Sequence, residues 1–241
     1  MNFSEILKMA LGSLGVNKLR SFLTMSGITI GVFSVIGVMT AVSALRGSIE
    51  TGLSFLGTNM FQFSKFPANG GGDGPQRRKF DLRRDVTLAQ ALRYQRLMEG
   101  ASDVICLKIF DRNGVAQAVY GGRKSTPGLT FGGTNEHFLA ANQYSVDVGR
   151  NFTPDDIELA RPVILIGQHI VEKLFPAENP LGKMIKIRER TYTVIGLFAE
   201  KGTQFGQSQD DIAMIPITRF LNDYGSERVT VNIATQAASQ L

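Results

Sequence analysis

Residues Ser21 to Leu45 read SFLTMSGITIGVFSVIGVMTAVSAL, twenty-five positions without a charge or a proline, bounded by Arg20 and Arg46. A helix of this length reaches ~37 Å against a hydrocarbon core of about 30 Å, enough to cross a bilayer with some tilt. No comparable stretch recurs in the 241 residues. The sequence therefore predicts a leader over 1–20, a transmembrane helix over 21–45 and a globular domain over 46–241. Ala41-Val42-Ser43 offers a cleavage-like tripeptide. A secretory signal, however, carries an apolar core of only about 7–15 residues behind a short basic region, so a retained anchor is expected.

Basic residues flanking a span stay on the cytoplasmic side. Lys8, Lys18 and Arg20 precede the span against Glu5 alone, which places the amino terminus in the cytoplasm and the domain outside. Of the formal net charge of +5, +2 lies in the leader and +3 is spread over the domain. The high pI thus reflects topology more than a nucleic-acid surface, and no nucleic-acid partner is expected. Cys106 is the only cysteine, which excludes an internal disulfide.

The span has a face of small residues. Gly27, Gly31, Ser34, Gly37, Ala41 and Ala44 fall within an arc of roughly 140°, and Gly27 to Gly31 is a GxxxG spacing that lets another helix approach closely. These six are the candidate helix-packing residues. Seven hydroxyl side chains lie along the same stretch, and hydroxyls can bond carbonyls of their own helix. Upstream, Phe3, Ile6, Leu7, Ala10, Leu11 and Leu14 recur at helical spacing. They fit either an amphipathic helix in the cytoplasmic lipid interface or a first turn of the same helix.

Beyond Arg46 the pattern is α+β. A strand is expected over 59–66, then a glycine-rich linker, Asn69 to Pro75, and a solvated basic cluster of Arg77, Arg78, Lys79, Arg83 and Arg84 interleaved with Asp81 and Asp85. Thr87 to Met98 reads as a helix with Asp85 or Thr87 as its cap. Val104 to Phe110 and Val115 to Tyr120, joined through Asn113-Gly114, read as a β-hairpin. Helices are expected over 135–141, 168–175 and 218–223. Strands are expected over 144–148, 163–166, 184–188, 192–198, 212–216 and 229–235, with the start of a helix at 236–241.

Enzymatic motifs are lacking. His137 and His169 stand alone, the sequence carries no HExxH, cysteine cluster or Walker motif, and Gly206-Gln-Ser208-Gln-Asp210 misses the GxSxG elbow. Asp155-Asp156 and Asp210-Asp211 lack the alternating carboxylates of a calcium loop. Asp155 reads as a helix-start residue behind Thr153-Pro154, and Asp210-Asp211 as part of an exposed loop. No catalytic, cofactor-binding or metal residue is expected.

A series of short motifs carries a family resemblance: Gly149-Arg-Asn-Phe-Thr153, Arg161-Pro-Val-Ile-Leu-Ile-Gly167, Leu174-Phe175, Asn179-Pro-Leu-Gly-Lys183, Tyr192-Thr-Val-Ile-Gly196, Lys201-Gly202, Gln209-Asp-Asp211 and Ile215-Pro216. Their order and spacing resemble the periplasmic core domain of MacB-type, FtsX-like ABC transporter permeases. Asn17 to Thr24 and Gly27 to Val32 resemble the same family. Physically these look like scaffold residues, with Pro180-Leu-Gly182 a turn, Gly167 a strand exit and Gly196 a bend.

The resemblance implies a permease subunit of an efflux or mechanotransmission system, dimeric, working with a cytoplasmic ABC ATPase that carries ATP and Mg. It also implies an outer region of two subdomains, here about 46–120 with 225–241 and about 121–224, and in some members a periplasmic adaptor. Permeases of this type have four spans, so the chain is expected to be an amino-terminal portion of a longer one. The alternative class is a single-pass anchored binding or sensor module, which an ATPase partner would exclude.

Overall fold

The structure is a computed structural model. It describes residues 5, 17–54, 60–66, 80, 82–98, 100–111, 115–204, 207–225 and 229–236, with side chains of the long first helix described through Gly47. The amphipathic leader pattern over 3–14 (Glu5 apart), the linker 69–75, Arg77, Arg78, Lys79, Asp81, the turn 112–114 and the expected helix start after Gln236 lie outside the described residues. The chain divides into two compact units, Met1–Thr51 and Gly52–Leu241.

The first unit is dominated by one helix, α1 (Lys18–Ser54), of 37 residues. Its stretch Lys18–Gly47 has a mean hydropathy of 2.1 over its most apolar window, with none of that window buried. The helix does not stop where the apolar stretch does. It runs through Arg46 to Ser54 because that segment contains no proline, and its two glycines cost only about 1 kcal/mol each in a helix interior. Along the span Thr24 Oγ1 donates to Arg20 O at 2.9 Å and Thr29 Oγ1 to Met25 O at 2.8 Å. Those two hydroxyls are therefore satisfied inside the helix and need no partner helix.

The second unit is a mixed sheet. Its strands are β1 (Met60–Phe63), β2 (Ile105–Phe110), β3 (Ala118–Tyr120), β4 (Arg123–Lys124), β5 (Thr130–Thr134), β6 (Val146–Gly149), β7 (Val163–Ile166), β8 (Met184–Ile187), β9 (Arg190–Phe198), β12 (Ile212–Pro216) and β13 (Asn232–Gln236). The order is β1-β13-β2-β5-β12-β7-β9-β8-β3-β4, with β6 also pairing with β9. A separate two-stranded ribbon joins β10 (Thr203–Gln204) to β11 (Gln207–Ser208). The long strand β9 organises one half of the sheet. It pairs in parallel with β7 along one side, and with β8 and then β6, both antiparallel, along the other. β7 is an apolar run, Val-Ile-Leu-Ile, buried on both faces after Val163. β8 alternates, with Met184 and Lys186 exposed and Ile185 and Ile187 buried.

Helices α2 (Leu88–Leu97), α3 (Phe138–Asn142), α4 (Pro154–Glu158), α5 (Gln168–Leu174) and α6 (Ile217–Tyr224) complete the unit. Consecutive strand residues point to opposite faces, which assigns the cover. Gly133 faces Phe220 of α6, whereas its neighbour Thr134 shares its face with Cys106, whose sulfur meets Asn142 of α3. α2 lies on the α6 face, since Tyr94 Oη is 3.2 Å from Thr235 Oγ1 and Thr235 pairs with Ile105, in phase with Ile109 and Gly133. Strands β1 and β2 run in the same direction with β13 reversed between them and α2 as the connection, a split β-α-β unit.

One expectation fails here, and one strand was not expected at all. Strands β2 and β3 do not form a hairpin: β2 lies between β13 and β5, while β3 pairs with β4 and β8. The tight hairpin is β3–β4, turned by Gly121 and Gly122, both at positive φ, which is the conformation a two-residue turn demands. Strand β5, Thr-Phe-Gly-Gly-Thr, carries no expectation in the sequence because paired glycines argue against a strand. The structure needs both glycines. A Cβ on Gly132 would stand 2.3 Å from Ile109 O, and one on Gly133 2.5 Å from Phe220 Cβ.

Candidate functional site

The six small residues of α1 are all solvent-exposed within this chain. A Cβ added at Gly27, Gly31 or Gly37 would meet nothing within 4 Å. The large side chains around them are equally bare, Phe33 being 75% exposed. Helical geometry brings the six together along one stripe, and none of the described residues packs against its glycines.

The family-like motifs of the sheet unit have the opposite character. Gly149 and Gly196 face each other across β6 and β9, and a Cβ at Gly196 would lie 2.5 Å from Arg150 O. Gly196 thus permits a close backbone approach, beside the bulge that shifts the pairing of β9 with β7 from Val194 to Gly196. Gly167 does mark the exit of β7, and a Cβ there would lie 2.2 Å from Asp210 O. Lys183 N donates to Pro180 O at 3.1 Å, closing the turn expected at Pro180-Leu-Gly182.

Three carboxylates tie these motifs together. Asp156, fully buried, accepts from Arg150 Nη1 at 2.6 Å, Arg161 Nη1 at 3.2 Å, and Thr153 N and Oγ1 at 3.0 and 2.9 Å. Burial alone would raise its pKa. The hydrogen bond and charge of Arg150 and the bonds from Thr153 outweigh that and hold the carboxyl well below the usual carboxylate range. The Gly149-to-Thr153 motif therefore builds an ion-paired cap for α4, with Thr153 as N-cap and Asp156 completing the box.

Asp223 accepts from Tyr192 Oη and Arg219 Nε, each at 2.8 Å. Tyr192 Oη is also 3.0 Å from Tyr224 Oη. Burial, followed by these partners, raises the Tyr192 phenol pKa. The network fastens α6 to the β8–β9 turn, where Arg188 pairs with Asp111. Asp210 is buried rather than in an exposed loop, because its carboxylate accepts from the backbone of Lys201 and Gly202, each at 2.8 Å. Lys201 Nζ in turn bonds Asn142 O at 2.8 Å and lies 4.2 Å from the Tyr144 ring. Burial pushes the Tyr144 phenol up to about 12, with the Asp210 charge adding to it.

The remaining sequence candidates have local partners. His169 Nδ1 lies 2.9 Å from Asp211 Oδ2, and His137 Nε2 lies 3.4 Å from Glu136 Oε1. Among the described residues no group of three or more His, Cys, Asp or Glu could hold a metal. Cys106 is buried beside Thr134 and Asn142, and burial pushes its thiol up to about 11, which keeps it unreactive. Sequence reasoning missed the partners of the three aspartates. Thr153-x-x-Asp156 was legible as a capping pattern, but the long-range contacts left no local signal.

Residues 21–241 match the family model of the MacB-like periplasmic core domain. The chain belongs to that family. It is 31% identical over 220 residues to the macrolide export ATP-binding/permease protein MacB of Chlorobium phaeobacteroides, covering 90% of this chain and 32% of the relative. The MacB of Rhodospirillum rubrum gives 31% over 219 residues, with 90% and 32% covered. The chain thus spans about a third of the length of these relatives. The fold matches the periplasmic region of MacB from Actinobacillus actinomycetemcomitans with a TM-score of 0.59 at 19% identity, over 78% of this chain and 79% of that one. It also matches the extracellular domain of the noncanonic ABC-type transporter YknZ from Gram-positive bacteria, with a TM-score of 0.52 at 21% identity, over 64% and 74%. The MacB-like core domain is homologous to ABC transporter permease components, and here the matched residues include one apolar helix of span length.

Proposed function

We propose that the chain is part of the membrane subunit of a MacB-type ABC transporter, an efflux or mechanotransmission system. The observation that carries this reading is that the family match starts at Ser21 and takes in the apolar helix together with the sheet unit. In this reading α1 crosses a bacterial inner membrane with the amino terminus in the cytoplasm, supported by the basic residues before it. The sheet unit stands outside. ATP and Mg act on a cytoplasmic ABC ATPase subunit, ATP binding being part of the relatives' name. The bare stripe Gly27, Gly31, Ser34, Gly37, Ala41 and Ala44 receives another transmembrane helix, of this subunit or of a second copy, and a periplasmic adaptor is a further partner.

The division of the outer region into about 46–120 with 225–241 and about 121–224 is part of the same proposal. It is supported by the split β-α-β unit, which is assembled from β1, α2, β2 and the distant β13.

The test is purification of the protein from its own membrane, followed by mass spectrometry of the intact chain and everything that accompanies it. An ABC ATPase subunit that copurifies supports the proposal. An ATPase domain in the same polypeptide, the arrangement that the relatives' name describes, keeps the transporter and overturns the separate subunit. A functional protein with neither would overturn the transporter reading and leave an anchored binding or sensor module.

A further inference from the structure

We draw no further inference here: the strongest candidate, the outer edge of the sheet at β1, where Phe61 and Phe63 stand 40% and 49% exposed beside Tyr94 of α2, carries none, because nothing among the described residues shows what covers that edge.

Discussion

Glycine occupies two opposite environments in this molecule. In α1 a methyl group added to Gly27, Gly31 or Gly37 would enter open space, whereas in the sheet one added to Gly132, Gly133, Gly149, Gly167 or Gly196 would overlap a neighbour at 2.2–2.5 Å. The sheet glycines are explained by the chain's own fold, because backbone or helix occupies the place of each missing side chain. Among the described residues nothing approaches the helix glycines. One residue type thus sits in two kinds of surrounding, one filled by the fold and one left open.

Substitutions sharpen that contrast. The largest effect is expected from Gly133→Val, which drives a side chain into Phe220 Cβ and Ile217 Cα. Overpacking at such a site costs about 3 kcal/mol, read as a lower midpoint in denaturant unfolding of the outer domain. Gly31→Val is the counterpart. It should leave the midpoint of the outer domain unchanged while weakening recovery of the assembled complex from detergent, and a fall in the midpoint would break the comparison.

Asp156→Asn comes next. It keeps the shape but removes the charge that Arg150 and Arg161 bond, at a cost of about 2 kcal/mol near neutral pH. The folded pKa of Asp156 lies below its unfolded value of about 3.9, so its contribution is fully present above that pH and fades as pH falls toward the folded value. Acid titration of stability should therefore be shallower below about pH 4 in the variant, and an unchanged slope would refute the assignment.

A smaller effect, about 1 kcal/mol, is expected for Tyr192→Phe, because Asp223 keeps Arg219 when the phenol is removed. The smallest belongs to the linker. Lys65 and Asp85 form a 2.9 Å ion pair, and the rings of Phe66 and Phe80 are 6.5 Å apart, so the chain is fastened on both sides of residues 67–79. Replacing 68–78 with a short Gly-Ser stretch should change thermal stability by less than about 0.5 kcal/mol. A large loss would show that those residues pack on the fold.

The elements easiest to read were those whose signal is local. β7 and β12 occupy the expected 163–166 and 212–216, and α2 is capped by Thr87 and Gln90 as its sequence suggests. The apolar helix was legible from the absence of charge, but its extension to Ser54 was not, since nothing in 46–54 distinguishes a helix from a linker by composition. Strand β5 was hidden because its reason for being a strand lies in Ile109 and Phe220, remote in sequence. The Gly121-Gly122 turn of the observed β3–β4 hairpin went unread, because β4 is only two residues long and leaves no periodicity in the sequence. The burial of Asp210 depends on the two amides of Lys201 and Gly202 turning toward it.

The contact between Gly133 and Phe220 also limits how relatives of this domain can drift. With only 2.5 Å between the place of a Cβ at 133 and the Cβ of Phe220, the sheet and α6 share a single side chain's worth of room between them. A lineage that acquired bulk at position 133 would have to give it up at 220, or carry the helix outward and loosen the Asp223 bond to Tyr192 at the same time. Positions 133, 220 and 223 should therefore change together in descent, although 133 is remote in sequence from the other two.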